Sequence, residues 1–167
     1  MKKIKGFTLI EILTTIGLLT IIGSIAVSVI SLTLRGTKKS DLLQAARQNG
    51  DVALSQMVKN IRYASNLNSP ASCVPSTTTS SITITSLLDN GQTTYSCAGG
   101  TIASNSASLF DTTTLTVSAC SFVCQQATVN DPPTITIQYI VSPKNPGNFV
   151  ETHFTLPFQS SVTMRNF

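Results

Sequence analysis

The 167 residues suffice for one modest domain and an anchor. The formal charge of +4 overstates how basic the chain is. Lys2, Lys3 and Lys5 all precede Gly6, and beyond it eight basic residues face seven acidic ones. No basic patch remains to recruit nucleic acid, which excludes that class on charge. Charged residues make up 11% of the chain, against about 25% in ordinary globular domains. Ser and Thr carry the polarity instead, as on a β-rich extracytoplasmic surface.

The first element is an apolar run. From Phe7 to Leu34 the only charge is Glu11. As a helix this run measures about 42 Å, more than the roughly 30 Å of bilayer hydrocarbon. Basic residues stand on both sides, at Lys2, Lys3 and Lys5 and at Arg35, Lys38 and Lys39. Flanking charge therefore leaves the orientation open.

The second element, about 37–66, has helical periodicity. Leu42, Ala46, Ala53, Met57, Ile61 and Ala64 recur at helical intervals, and Leu43, Leu54 and Val58 widen the stripe. Asp41, Gln44, Gln48, Asp51, Gln56, Lys59 and Arg62 fill the other side. One amphipathic helix with a buried face follows. With no proline before Pro70, it can continue from the apolar segment, with Gly36 as a weak point.

The stretch SPASCVPSTTTSS (69–81) reads as a solvated Ser/Thr loop. After it the period falls to two. Ile82 and Ile84; Leu115, Val117 and Ala119; Ile135, Ile137, Tyr139 and Val141; and Val150, Thr152, Phe154 and Leu156 each line one side of a strand. A last strand, QSSVTM (159–164), follows Pro157. Turn signals at Asp89-Asn90-Gly91, Gly99-Gly100, Asp131-Pro132-Pro133 and Asn145-Pro146-Gly147 separate these runs. The expectation is an α+β chain. A long N-terminal helix packs on a small, mostly antiparallel sheet of about four to six strands in a region of about 81–167.

The four cysteines, Cys73, Cys97, Cys120 and Cys124, all lie beyond the apolar run. An even number in an exported region points to disulfides. If CSFVC (120–124) is extended, its two cysteines stand roughly 13 Å apart. A disulfide holds its Cα atoms within about 7 Å. Cys120 and Cys124 then pair with Cys73 and Cys97, not with each other; a turn there reverses that. Zinc is the competing reading, but it usually takes two short Cys pairs, and this chain has one.

The start of the chain carries the sharpest pattern: a lysine-rich leader, then GFTLIE (6–11), then the apolar run. It resembles the N-terminal signature of type IV pilins and pseudopilins. The resemblance implies cleavage between Gly6 and Phe7 by a prepilin peptidase at the cytoplasmic face, followed by N-methylation of Phe7. Residues 1–6 are then a leader, 7–34 a transmembrane and polymerisation helix, and 35–167 an extracytoplasmic domain. The protein becomes a single-pass inner-membrane subunit of a surface or periplasmic filament. Its partners are other pilin or pseudopilin subunits, the peptidase and methylase, and the cytoplasmic membrane.

Physical chemistry is consistent with that implication. An unpaired carboxylate in hydrocarbon costs several kcal/mol, and the Phe7 amine of a neighbouring subunit is the partner the family supplies for Glu11. A secretory signal peptide is the alternative. Its cleavage site falls near Ser24-Ile25-Ala26 and is poorly formed there. A lipoprotein anchor needs a cysteine that this segment lacks.

Two later stretches are similar to J-type minor pseudopilins: QAARQNGDVALSQMVKNIRYA (44–64) and the closing SVTMRNF (161–167). Many major pilins have a proline in the membrane segment, and major pseudopilins carry a calcium loop. Neither pattern is visible here, which favours a minor, initiating or tip subunit.

No enzymatic site is expected. The single histidine, His153, alternates outward with Glu151 and Thr155, and no nucleophile elbow or phosphate loop occurs. No cofactor or metal is expected. The rival function is a singly anchored binding module or adhesin that does not polymerise.

Overall fold

A computed structural model of the chain describes residues 6–146 and 153–165. The leader lysines Lys2, Lys3 and Lys5, the strand positions Val150 and Thr152, and the last two residues of the closing stretch lie outside the described residues. The chain divides into two units, Met1–Ser40 and Asp41–Phe167. Helix α1, Leu9–Arg62, contributes to both.

In the first unit α1 is apolar on all sides, and every side chain from Gly6 to Ser40 is exposed. A helix apolar all round has no face to turn to water. It is long and apolar enough to cross a membrane. Gly17, Gly23 and Gly36 all lie within the helical run.

In the second unit α1 presents one buried stripe: Ala46, Gly50, Ala53, Met57 and Ile61. Their spacing of three and four places them on a single face. The helix stops at Arg62, short of the expected 66, and Ala64 already opens strand β1. The Arg62 carbonyl, left without a helical donor, accepts from the Arg165 N–H at 3.1 Å.

The β region holds two sheets, more than the one small sheet expected. Nine strands occur among the described residues. One sheet has the order β1 (Ala64–Ser69), β3 (Ser81–Ser86), β4 (Gln92–Ala98), β5 (Thr101–Ser104), β6 (Ala107–Ser108). The other runs β2 (Ser76–Thr79), β7 (Leu115–Gln125), β8 (Thr134–Pro143), β9 (Leu156–Thr163). Every pairing is antiparallel.

Three strand readings need correction. The Ser/Thr stretch read as a solvated loop forms β2, which pairs with β7 from Ser76↔Gln125 to Thr79↔Phe122. Short polar residues give little period-2 contrast, so the strand was invisible in the pattern. The strand expected over 150–156 begins only at Leu156 in its described part, and β9 runs straight through Pro157. Pro157 is tolerated because β9 is the edge of its sheet. Ala119 does not continue the buried face of Leu115 and Val117. It has φ of +46° and is exposed.

The last point reflects a bulge. Ser118 pairs with Ile140 and Ser121 with Gln138, so β7 has one residue more than β8 between those rungs. The inserted residue flips the side-chain phase. Leu115 and Val117 face the core before the bulge, and Phe122 and Cys124 face it afterwards.

The core fills the space between the helix stripe and the inner faces of both sheets. Ile82, Ile84, Tyr95 and Ile102 come from one sheet, and Leu115, Phe122, Ile135, Ile137, Tyr139 and Val141 from the other. Two tyrosines tie α1 to the two sheets. Tyr139 donates to the Gly50 carbonyl at 2.8 Å, and the Tyr95 hydroxyl accepts from Asn60 at 2.7 Å.

Candidate functional site

The residues singled out at the N-terminus form a compact local structure. Gly6, Phe7 and Thr8 precede the helix, which begins at Leu9. The Thr8 carbonyl accepts the first helical bonds, from Glu11 N–H at 3.1 Å and Ile12 N–H at 3.2 Å. Thr8 is therefore the N-cap residue. Thr8-Leu9-Ile10-Glu11 has the spacing of a capping box, threonine followed three residues later by glutamate. That reading was available in the sequence and was missed there.

The box is only half made. Glu11 Oε2 reaches back to the Thr8 N–H at 3.5 Å. The Thr8 hydroxyl does not accept from the backbone of the first turn. It lies 3.4 Å from the same Glu11 oxygen, as donor. Both contacts are looser than a good hydrogen bond. The carboxylate thus sits in the first helical turn, where the helix dipole favours negative charge, and among the described residues is engaged only by its own Thr8. Phe7 is 78% exposed beside it. The Gly6–Phe7 peptide bond stands outside the helix, with open space around Gly6.

Most polar side chains deeper in the apolar segment are satisfied locally. Thr14, Thr15, Thr20, Ser24, Ser28, Thr33 and Thr37 each donate to a carbonyl three or four residues back, at 2.8–3.0 Å. Such back-bonding removes the cost of taking hydroxyls into an apolar medium. Leu9, Ile10, Leu13, Ile16, Leu18, Leu19, Ile21, Ile22 and Ile25 are all more than half exposed. This surface calls for an apolar environment.

The cysteines form two disulfides, Cys73–Cys124 and Cys97–Cys120, with Cα atoms 5.2 and 5.8 Å apart. No bond joins Cys120 to Cys124, in line with the extended reading of that stretch. The bulge at Ala119 separates the two faces. Cys124 points into the core with Cys73, whereas Cys120 is half-buried against Cys97 of the other sheet. The pairing chosen among the open alternatives depends on that phase shift.

The described acidic residues of the β region, Asp89, Asp111 and Asp131, serve turns. Asp111 accepts from Thr113 N–H at 2.9 Å, Thr113 Oγ1 at 2.6 Å and Thr114 Oγ1 at 2.9 Å. Those hydrogen bonds hold its carboxyl below the usual range. Asp89, exposed at the β3–β4 turn, accepts from the Gly91 N–H at 3.0 Å. Its pKa is lowered by hydrogen bonds from Ser86 and then Gly91. Asp131 accepts from Thr128 through both its N–H and its hydroxyl. Among the described residues no group of three or more His, Cys, Asp or Glu is placed to hold a metal ion. His153 is exposed just before β9.

Residues 1–27 match the family model of the prokaryotic N-terminal methylation motif. No curated protein and no solved structure gives a significant match to the chain. The matched residues include Gly6, Phe7, Thr8 and Glu11 and most of the exposed apolar run, and the fold behind them is a long helix with antiparallel sheets. The chain thus carries the prokaryotic N-terminal methylation motif, the part of its sequence that resembles type IV pilins and pseudopilins.

Proposed function

We propose that this protein is a minor pilin or pseudopilin, a structural subunit of a type IV pilus or a type II secretion-like filament. The observation that carries the reading is the methylation motif over residues 1–27 followed by an all-round apolar helix. Prepilin peptidase removes residues 1–6, the new Phe7 amine is methylated, and the helix anchors the chain in the cytoplasmic membrane with the β-rich domain outside. In the filament, Glu11 pairs with the Phe7 ammonium of a neighbouring subunit. The carboxylate's exposure and its loose internal contacts support this, because among the described residues only Thr8 is shown to engage it. The absence of proline from the apolar run and the J-like stretch at 44–64 support a minor subunit of J type.

Two measurements test the reading. Glu11→Ala is expected to insert, fold and lose its leader, yet fail to enter filaments. Normal incorporation of that variant leaves the singly anchored binding module as the better account. Intact mass of the membrane-extracted protein is expected to begin at a methylated Phe7. Retention of Met1–Gly6 in a peptidase-positive host overturns the cleavage step.

A further inference from the structure

We infer that the β-rich domain carries a subunit contact of its own, separate from the apolar helix: the groove between the end of α1 and the β3–β4 turn takes Val52 and Asp51 of a second copy. The inference rests on the filament role proposed above and adds a contact to it.

Among the described residues of the second unit, six large apolar side chains are exposed: Val52, Tyr63, Val74, Leu87, Leu88 and Val129. Three of them, Tyr63, Leu87 and Leu88, gather at one groove of about 490 Å³, together with the buried Ile84. Leu88 is 96% exposed. Single apolar side chains scattered on a surface need no explanation, but a cluster at a recess marks an interaction site. Two charges line the same groove, Lys59 and Asp89. Asp89 is already engaged by Ser86 and by the Gly91 N–H. Among the described residues no hydrogen bond or ion pair engages the Lys59 ammonium. The complement of this groove is therefore an aliphatic side chain beside a carboxylate.

The chain presents that pair itself. On α1, Asp51 is exposed and Val52 is more than half exposed. No hydrogen bond or ion pair engages the Asp51 carboxylate among the described residues. Asp51 and Lys59 lie eight residues apart on one helix, about 12 Å, and form no ion pair with each other, so they meet across copies. An antiparallel pair of copies closes on itself. Subunits inserted in one membrane share an orientation, which leaves the parallel, head-to-tail contact. Each added copy then offers a free groove on one side and a free Asp51 on the other, as an open helical assembly requires. So small a contact is weak in dilute solution, but copies held in one membrane or filament meet at high effective concentration.

The test uses the full-length protein in its own host, with a photo-crosslinking amino acid in place of Leu88. The expected product has twice the subunit mass and joins the label to the tryptic peptide 48–59, which contains Asp51 and Val52. Lys59→Glu or Asp51→Lys alone is expected to lower its yield roughly fivefold, the scale of one exposed ion pair made repulsive. The two substitutions together are expected to restore it. Non-reducing mapping of both disulfides confirms that each variant folds. A product with a different protein, or with another segment of this chain, overturns the inference. Failure of the double substitution to restore the yield overturns it as well. No product from wild-type protein that enters filaments, alongside a blocked Glu11→Ala, overturns it and leaves the filament role standing. The expected product together with normal incorporation of Glu11→Ala supports this contact and removes the role of Glu11.

Discussion

Gly50 and Tyr139 form the tightest point of the domain. A Cβ built on Gly50 falls 2.2 Å from Phe158 Cζ, so only glycine lets α1 approach the β8–β9 sheet this closely. Phe158 in turn stacks on Tyr139 with ring centroids 5.3 Å apart, and Phe110 meets Tyr139 edge-on at 5.8 Å. Gly50→Ala is expected to cost about 1–3 kcal/mol by overpacking, measured as a lower denaturant midpoint. Tyr139 also has a titratable consequence. Burial, and then the negative charge of Asp51, push its phenol well above the ordinary tyrosine value. Burial likewise raises Tyr95, partly offset by its bonds to Asn60 and Ser104. A group whose folded pKa is raised stabilises the fold below its unfolded pKa and loses that contribution as pH rises through the folded value. The domain is therefore expected to hold its stability up to about pH 10 and to lose it above that. Tyr139→Phe is expected to flatten this alkaline slope while costing about 1 kcal/mol at neutral pH for the lost bond to Gly50. Denaturant melts of both proteins across the alkaline range check the sign.

Among the elements, β7 does the most to organise the fold. It pairs with β2 on one side and β8 on the other, carries the bulge, and provides one cysteine to each disulfide. Cys97–Cys120 joins β4 of one sheet to β7 of the other, and Cys73–Cys124 ties the loop before β2 to the core face of β7. The enclosed separations are 51 residues for Cys73–Cys124 and 23 for Cys97–Cys120. Chain-entropy arguments give about 3–4 kcal/mol for loops of that size, more for the longer. Replacing both cysteines of a pair by alanine is expected to destabilise more at Cys73–Cys124, whose sulfurs are also buried in the core. Thermal melts of the two double variants decide the order. Non-reducing peptide mapping is expected to return these two cross-linked pairs from the exported protein.

Among the described residues, the molecule keeps its charges off the sheets. No Asp, Glu, Lys, Arg or His falls within any of the nine strands described; in the second unit they sit on α1, in turns or near the chain end. The low charged fraction thus reflects a Ser/Thr-surfaced β domain. That domain contains its own core, and the first unit contains none. A fragment starting near Asp41 is therefore expected to fold in solution with its disulfides formed, whereas the full chain is expected to partition into membranes. Fractionation with and without residues 7–40 tests this. A membrane-bound fragment contradicts the assignment of anchoring to the apolar helix.

Legible in the residues alone are the elements whose side chains differ sharply from one position to the next. The apolar run, the helix stripe through Met57 and Ile61, and the buried side of β8 through Ile135, Ile137, Tyr139 and Val141 all announce their period, because burial sorts apolar from polar residues at fixed spacing. The N-terminal motif is local in the same sense, since its parts lie within one helical turn. Tertiary structure alone decided the rest. Ser76–Thr79 becomes a strand because β7 offers an edge, and Gly50 matters because Phe158 arrives from more than a hundred residues away. The disulfide pairing follows from one extra residue at Ala119 that turns Cys124 inward. These are consequences of which segments meet, and Ser, Thr and Gly carry too little contrast in a single chain to say so.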